Sequence, residues 1–95
     1  MNPISSLSTQ YVYSHITGAA GDETIEFAFV QAEEPSSGDW HDGSWGNTTA
    51  TGAWARALIG PDTDFELTDG AWQMWIRVTG DSEQPVLRSG EVTIT

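Results

Sequence analysis

Apolar and polar residues alternate along several short stretches of this 95-residue chain. The period is two, which is typical of β-strands with one buried face. The clearest stretch covers residues 71–79, where every second residue from Trp72 to Val78 is large and apolar. Similar but less regular patterns predict further strands over residues 11–16, 24–32, 53–59 and 86–95.

Residues 53–59 leave two assignments open, because both sets of alternating positions are apolar. One set is Trp54 with Leu58, and the other is Ala55 with Ala57 and Ile59. Arg56 belongs to the first set and lies between its two large side chains. Residues 11–16 are similarly mixed, with apolar side chains on both faces.

Turn-forming residues separate these stretches about every ten positions. Residues 18–22, 68–70 and 80–84 are the clearest turns, and Ser89–Gly90 is a candidate bulge. Parallel strands would need crossover helices, for which there is no room. We therefore predict an all-β fold, an immunoglobulin-like antiparallel β-sandwich of six to seven strands. Residues 67–72 (LTDGAW) resemble the corner before the sixth strand of such sandwiches, with Trp72 in place of the usual tyrosine.

A chain of this length accommodates one domain. Residues 1–10 are polar except for Ile4 and Leu7, and they predict an N-terminal arm before a sandwich of residues 11–95. Those two side chains are candidates for contact with a neighbouring subunit.

The longest predicted connection covers residues 33–49, which show no apolar alternation. It contains Trp40 and Trp45. Either both rings cover one end of the sandwich, or they anchor a protein interface, where tryptophan is enriched. Trp75 is the one large apolar residue on the polar side of its strand. Two interpretations are open for it as well: its ring contacts Arg77 or Arg56 on the sheet, or it contacts a partner.

The net negative charge argues against binding to nucleic acids or to anionic membranes. The chain has 3 Lys+Arg against 14 Asp+Glu, a formal net charge of -11 and a sequence pI of about 4.1. Nucleic-acid phosphates and anionic membrane surfaces would repel such a molecule. With no Cys, disulfides and cysteine metal sites are excluded. The first residues do not resemble a signal peptide, and no stretch is apolar enough to span a bilayer.

Candidate chemistry is sparse. His41 lies between acidic residues, and Asp62 and Asp64 form a D-x-D pair, but neither pattern has the remaining ligands of a known metal site. Nucleophile, phosphate-loop and metalloprotease motifs are absent from the sequence. We therefore predict no enzyme activity, no metal and no cofactor.

Five groups of residues have a distinctive order and spacing along nearly the whole chain. They are residues 4–12 (ISSLSTQYV), 26–30 (EFAFV), 38–40 with 43–45 (GDW and GSW), 55–61 (ARALIGP), and 75–79 (WIRVT) with 84–86 (QPV) and 89–90 (SG). Together they resemble a family of small proteins encoded among the head and tail structural genes of tailed bacteriophages and prophages of actinobacteria. This resemblance implies a component of the phage particle and leaves its position in the particle open.

The expected function is that of a capsid decoration or minor capsid protein, bound to the outer surface of the head and stabilising it. Its partners would be the major capsid protein or other virion proteins, with self-association as a further option. The alternatives are a head–tail connector or tail component, and a carbohydrate-binding module for host attachment. The expected interface residues are Ile4, Leu7, Trp40, Trp45 and Trp75.

Overall fold

The computed structural model describes residues 3–31, 34–80 and 84–95. Its strands form two antiparallel sheets, one in the order β1-β5-β4 and the other in the order β3-β2-β6-β7. This confirms the predicted all-β fold, an antiparallel β-sandwich with seven strands in two sheets. The strands are β1 (Gln10–Thr17), β2 (Thr24–Val30), β3 (His41–Asp42), β4 (Ser44–Thr48), β5 (Gly52–Ile59), β6 (Gly70–Thr79) and β7 (Val86–Ile94).

The core lies between the two sheets and is filled by the alternating inward residues of both. It resolves the ambiguity of β5, because the alanines face inward while Trp54 and Leu58 face solvent. Small side chains on β5 and large rings on β2 together fill the space between the sheets at close packing. The buried cluster comprises Ile4, Val12, Ile25, Phe27, Phe29, Ala55, Ala57, Ile59, Phe65, Met74, Ile76, Val78, Val92 and Ile94.

The N-terminal segment packs on its own domain. Ile4 pairs in parallel with Ile94, its N–H donates to the Thr93 carbonyl at 2.8 Å, and its carbonyl accepts from the Thr95 N–H at 2.9 Å. Its side chain is only 7% exposed. The edge of β7 offers unpaired backbone groups, and the segment satisfies some of them. The part of the predicted arm around Ile4 is therefore a short extension of the four-stranded sheet.

The predicted long connection over residues 33–49 is wrong for most of its described length. A 3₁₀ turn (Ser37–Asp39) is followed by β3 and β4. Both strands are short, and they form because β2 and β5 supply hydrogen-bonding partners, which alternation along the chain cannot reveal. Gly43 joins them where a Cβ atom would overlap the Phe27 ring.

Two smaller predictions agree with the structure. The pairing of β6 with β7 shifts register between Met74 and Trp75, which places the bulge at Ser89 next to Gly90. At the corner before β6, Trp72 donates its indole N–H to the Thr68 carbonyl at 2.8 Å. Tryptophan thus makes the backbone hydrogen bond that the tyrosine makes in immunoglobulin domains.

Candidate docking face

The residues predicted to form an interface do not share one surface. Ile4 belongs to the core, and Trp45 packs against it with its indole N–H donating to the Glu23 carbonyl at 2.7 Å. Both side chains are therefore occupied within the domain. Leu7 is the contrast, since it is 87% exposed and keeps its side chain in solvent.

Trp40 and Trp75 lie on the outer side of the four-stranded sheet. The guanidinium of Arg77 lies 4.6 Å above the Trp40 ring and pairs with the Glu26 carboxylate at 2.9 Å. Trp75 is half-buried, opposite the fully buried Ala28 of β2. Its buried indole nitrogen has no hydrogen-bond partner among the described residues. These rings cover the sheet of their own domain, which makes them poor candidates for a solvent-exposed platform.

The outer surface of the three-stranded sheet is the most exposed aromatic area that the structure describes. Four of its large side chains are 38–49% exposed, namely Tyr11, Tyr13, Trp54 and Leu58, whereas His15 and Arg56 are partly buried. Antiparallel pairing of β1 with β5 places them opposite one another in three consecutive pairs. We call this surface the aromatic face; it consists of Tyr11 opposite Leu58, Tyr13 opposite Arg56, and His15 opposite Trp54.

The side chains of the aromatic face are in contact with one another. The Tyr11 and Tyr13 rings lie 6.2 Å apart at 50°, and the His15 and Trp54 rings lie 5.0 Å apart at 70°. The guanidinium of Arg56 lies 4.5 Å above the Tyr11 ring. Such aromatic and cation–π contacts restrict side-chain rotation, so the face presents a defined shape to a ligand.

A hollow of about 430 Å³ lies beside these rings and is lined by Tyr13, Asn47 and Trp54. The neighbouring residue of β4 is Gly46, which has no side chain to fill this space. A Cβ atom added there would be 3.8 Å from the Trp54 Cβ and 3.9 Å from the Arg56 Cδ, which is ordinary contact. The hollow is shallow and open to solvent, and its two aromatic rings offer an apolar contact to a side chain of a partner.

Charge separates the aromatic face from the rest of the molecule. The chain has 14 acidic residues, yet β1, β4 and β5 contain none. Arg56 is the one charged side chain on these strands, and His15 is their one histidine. A face without carboxylates, on a protein of net charge -11, is the surface on which a partner meets the least repulsion.

Two other surface features are a groove between the sheets and the turn that contains Glu23. A groove of about 320 Å³ opens between the sheets beside Ile16, Val78 and Leu87. In the turn before β2, the Glu23 carboxylate accepts hydrogen bonds from the N–H groups of Ala20 and Gly21. Backbone hydrogen bonds, first that of its own N–H and then that of Ala20, hold the pKa of Glu23 below its usual range.

Within residues 3–31, 34–80 and 84–95, no three His, Asp or Glu side chains come together as a metal-binding group. The described chain also has no helix of the length and apolarity needed to cross a membrane.

The aromatic face does not stand out in the sequence, because β1 and β5 have apolar residues on both sides. A usable signal exists in the sequence: Tyr-x-Tyr-x-His and Trp-x-Arg-x-Leu place large side chains at alternate positions with no carboxylate on either strand. Only the pairing of β1 with β5 shows that these two rows are adjacent and point outward.

Comparisons with known protein families, with curated proteins and with solved structures find no match to this chain.

Proposed function

We propose that this protein is a structural component of a tailed-phage virion, a decoration or minor capsid protein that binds the outer surface of the head through the aromatic face. The observation that supports it best is the charge separation: a carboxylate-free aromatic surface on an otherwise strongly acidic β-sandwich. The resemblance over residues 4–90 supports the virion setting, and the exposed rings and absence of carboxylates on β1, β4 and β5 support the aromatic face as the docking surface.

The composition of the face suits a protein interface. Tyrosine, tryptophan and arginine are enriched in interfaces and dominate the energies measured at them. Tyr13 is 49% exposed and Trp54 is 40% exposed, so each still has a large apolar area to bury. Aromatic side chains bury that area with little loss of conformational entropy, since each has only two rotatable bonds.

The distribution of charge also suits the outside of a capsid. A protein of net charge -11 placed in the interior would face packaged DNA and be repelled by it. On the exterior, the aromatic face meets the shell and the acidic surface faces solvent. Symmetry then repeats one modest contact over the whole shell, so that many weak interfaces together stabilise it.

The test uses particles made from the phage or prophage genome that carries this gene, with the gene deleted. Purified protein is added, and the amount that co-sediments is measured. We expect saturable binding by the wild type and loss of at least about tenfold in affinity for the double variant Tyr13→Ala, Trp54→Ala. Val86→Ala is the control, because Val86 is 47% exposed on the opposite sheet.

Failure of the wild type to bind particles, or equal binding by the double variant, would contradict the proposal. Copy number then separates the head from the neck: a decoration protein is present in hundreds of copies, whereas a connector ring has about six or twelve.

The hollow between Tyr13 and Trp54 gives a second candidate, a sugar-binding module for host attachment. Its support is the combination of two exposed rings with the Asn47 side chain, since sugars stack on aromatic rings and hydrogen-bond to amides. The tilted arrangement of the Tyr11 and Tyr13 rings, at 50°, is less suited to a flat polysaccharide. Titration with host cell-wall polysaccharide would change the fluorescence of Trp54 if this candidate is correct, and a Trp54→Phe variant would lose the change.

A further inference from the structure

We propose that Arg56 is the specificity-determining residue of the aromatic face and that it binds a carboxylate side chain of the partner polypeptide. The inference rests on the aromatic face being the docking surface, and it adds the chemistry that this surface recognises. The ligand is an acidic side chain next to an apolar one.

Contacts on two sides hold Arg56 in place before any partner arrives. Its Nε donates to the Ser44 hydroxyl of β4 at 3.1 Å, and its guanidinium lies 4.5 Å above the Tyr11 ring of β1. A guanidinium has five N–H donors, and the Ser44 contact uses the one on Nε. The terminal nitrogens form the planar fork that matches the two oxygens of a carboxylate.

Arg77 shows what an arginine of this chain does when an acidic neighbour is within reach. Its guanidinium pairs with the Glu26 carboxylate at 2.9 Å while lying over Trp40. Arg56 has the same arrangement over an aromatic ring, but no carboxylate of the described residues pairs with it. None of the three strands around it contains Asp or Glu. The partner is therefore the source of the complementary charge.

The neighbouring hollow specifies the second part of the ligand. Arg56 is directly opposite Tyr13, which lines the hollow together with Asn47 and Trp54. Gly46 keeps the space beside Trp54 and Arg56 open. A partner segment that places an apolar side chain in the hollow has its neighbouring side chain within reach of the guanidinium, where burial of the surrounding rings strengthens the charge contact.

The test needs no knowledge of the natural partner. A library of random short peptides displayed on yeast is sorted against the full-length protein, and enriched peptides are titrated against variants by fluorescence anisotropy. We expect the enriched peptides to share an Asp or Glu next to an aromatic or aliphatic residue. Arg56→Gln should weaken their binding by about tenfold or more, and Arg56→Lys by less, because an ammonium lacks the bidentate geometry.

The controls separate charge from structure. Arg88→Gln removes an equal charge from an exposed position on β7 and should change affinity by less than about twofold. Replacing the peptide's acidic residue with its amide should weaken binding to the wild type and have little further effect on Arg56→Gln, as expected of a directly coupled pair. Gly46→Ala adds one methyl group at ordinary contact distance from Trp54 and Arg56, and it should weaken the binding of peptides that use this space.

Three outcomes would overturn the inference: enriched peptides without an acidic residue, equal binding by Arg56→Gln, or no peptide that depends on the aromatic face. The proposed function fails separately. Peptides that need Tyr13 and Trp54 but not Arg56 leave the docking face intact. Carboxylate-dependent peptides combined with no binding to particles would remove the virion assignment and keep the role of Arg56.

Discussion

At the scale of single residues, Trp72 takes the place of the usual corner tyrosine before β6. Trp72 packs against the core and donates its indole N–H to the Thr68 carbonyl at 2.8 Å. Replacing Trp72 with Phe keeps an aromatic ring but removes the donor. We expect the free energy of unfolding to fall by about 1 kcal/mol, the usual net value of one hydrogen bond. Urea denaturation measures it.

The matched control for that variant is Trp54→Phe, because Trp54 is 40% exposed on the aromatic face. It should change the free energy of unfolding by less than about 0.5 kcal/mol. Equal effects of the two variants would show that loss of ring volume, rather than the Trp72 hydrogen bond, sets the stability.

Glu23 should make the stability of the fold depend on pH. Backbone hydrogen bonds lower its pKa in the folded state, so the folded protein binds its proton less readily than the unfolded chain does. Its contribution to stability is thus present above the usual glutamate pKa of about 4.3 and is lost as pH falls through the lowered value. We expect Glu23→Gln to be less stable than the wild type at pH 7.

Urea denaturation of both proteins at a series of pH values tests this assignment. The difference between wild type and Glu23→Gln should shrink as pH falls below the usual glutamate pKa and be lost below the lowered value, where the Glu23 carboxyl is protonated in the folded and the unfolded state. Asp22→Asn removes an equal charge from an exposed neighbouring position and controls for the general change in charge. A difference that stays constant with pH would contradict the role of the Glu23 hydrogen bonds.

At the scale of elements, strands with one apolar face were predictable and strands with two were not. β6 alternates cleanly, and its inward residues are those that the pattern predicted. In β5 both faces are apolar, and the choice depends on the large rings of β2 that share the core, which a single strand does not reveal. The same limit hid Tyr11 and Tyr13 on β1.

β3 and β4 show a different limit. β3 has two residues, too few for a period to be visible, and Trp45 is the one large apolar residue of β4. Their pairing with β2 and β5 supplies what the local pattern lacks. Tertiary hydrogen bonding therefore decided the structure of the predicted connection, and with it the inward position of Trp45.

The orientation of β5 gives a prediction of its own. Ala55 is fully buried, and Ala55→Leu should destabilise the fold by about 1–3 kcal/mol or more, because extra methylene groups have no space in a packed core. Leu58→Ala, on the face that is 38% exposed, should cost less than about 1 kcal/mol. Thermal and urea denaturation would show the reverse order if Trp54 and Leu58 faced the core.

At the scale of the whole molecule, repulsion among the acidic side chains lowers the stability of the fold. Arg77 and Glu26 form the one ion pair that the described residues contain, while the chain carries a net charge of -11. Screening therefore removes far more repulsion than attraction. This surplus of negative charge makes the fold respond to salt in a direction that the structure determines.

Raising NaCl from about 0.01 M to about 0.15 M shortens the Debye length from about 30 Å to about 8 Å, which is less than the dimensions of this domain. We expect the melting temperature to rise by a few degrees, because like charges spread over the surface stop repelling one another.

Asp62 and Asp64 are exposed in one turn, so the double variant Asp62→Asn, Asp64→Asn should melt higher than the wild type at low salt and gain less from added NaCl. A melting temperature that falls with salt would mean that attractive pairs, and not the net charge of -11, dominate the electrostatics of the fold.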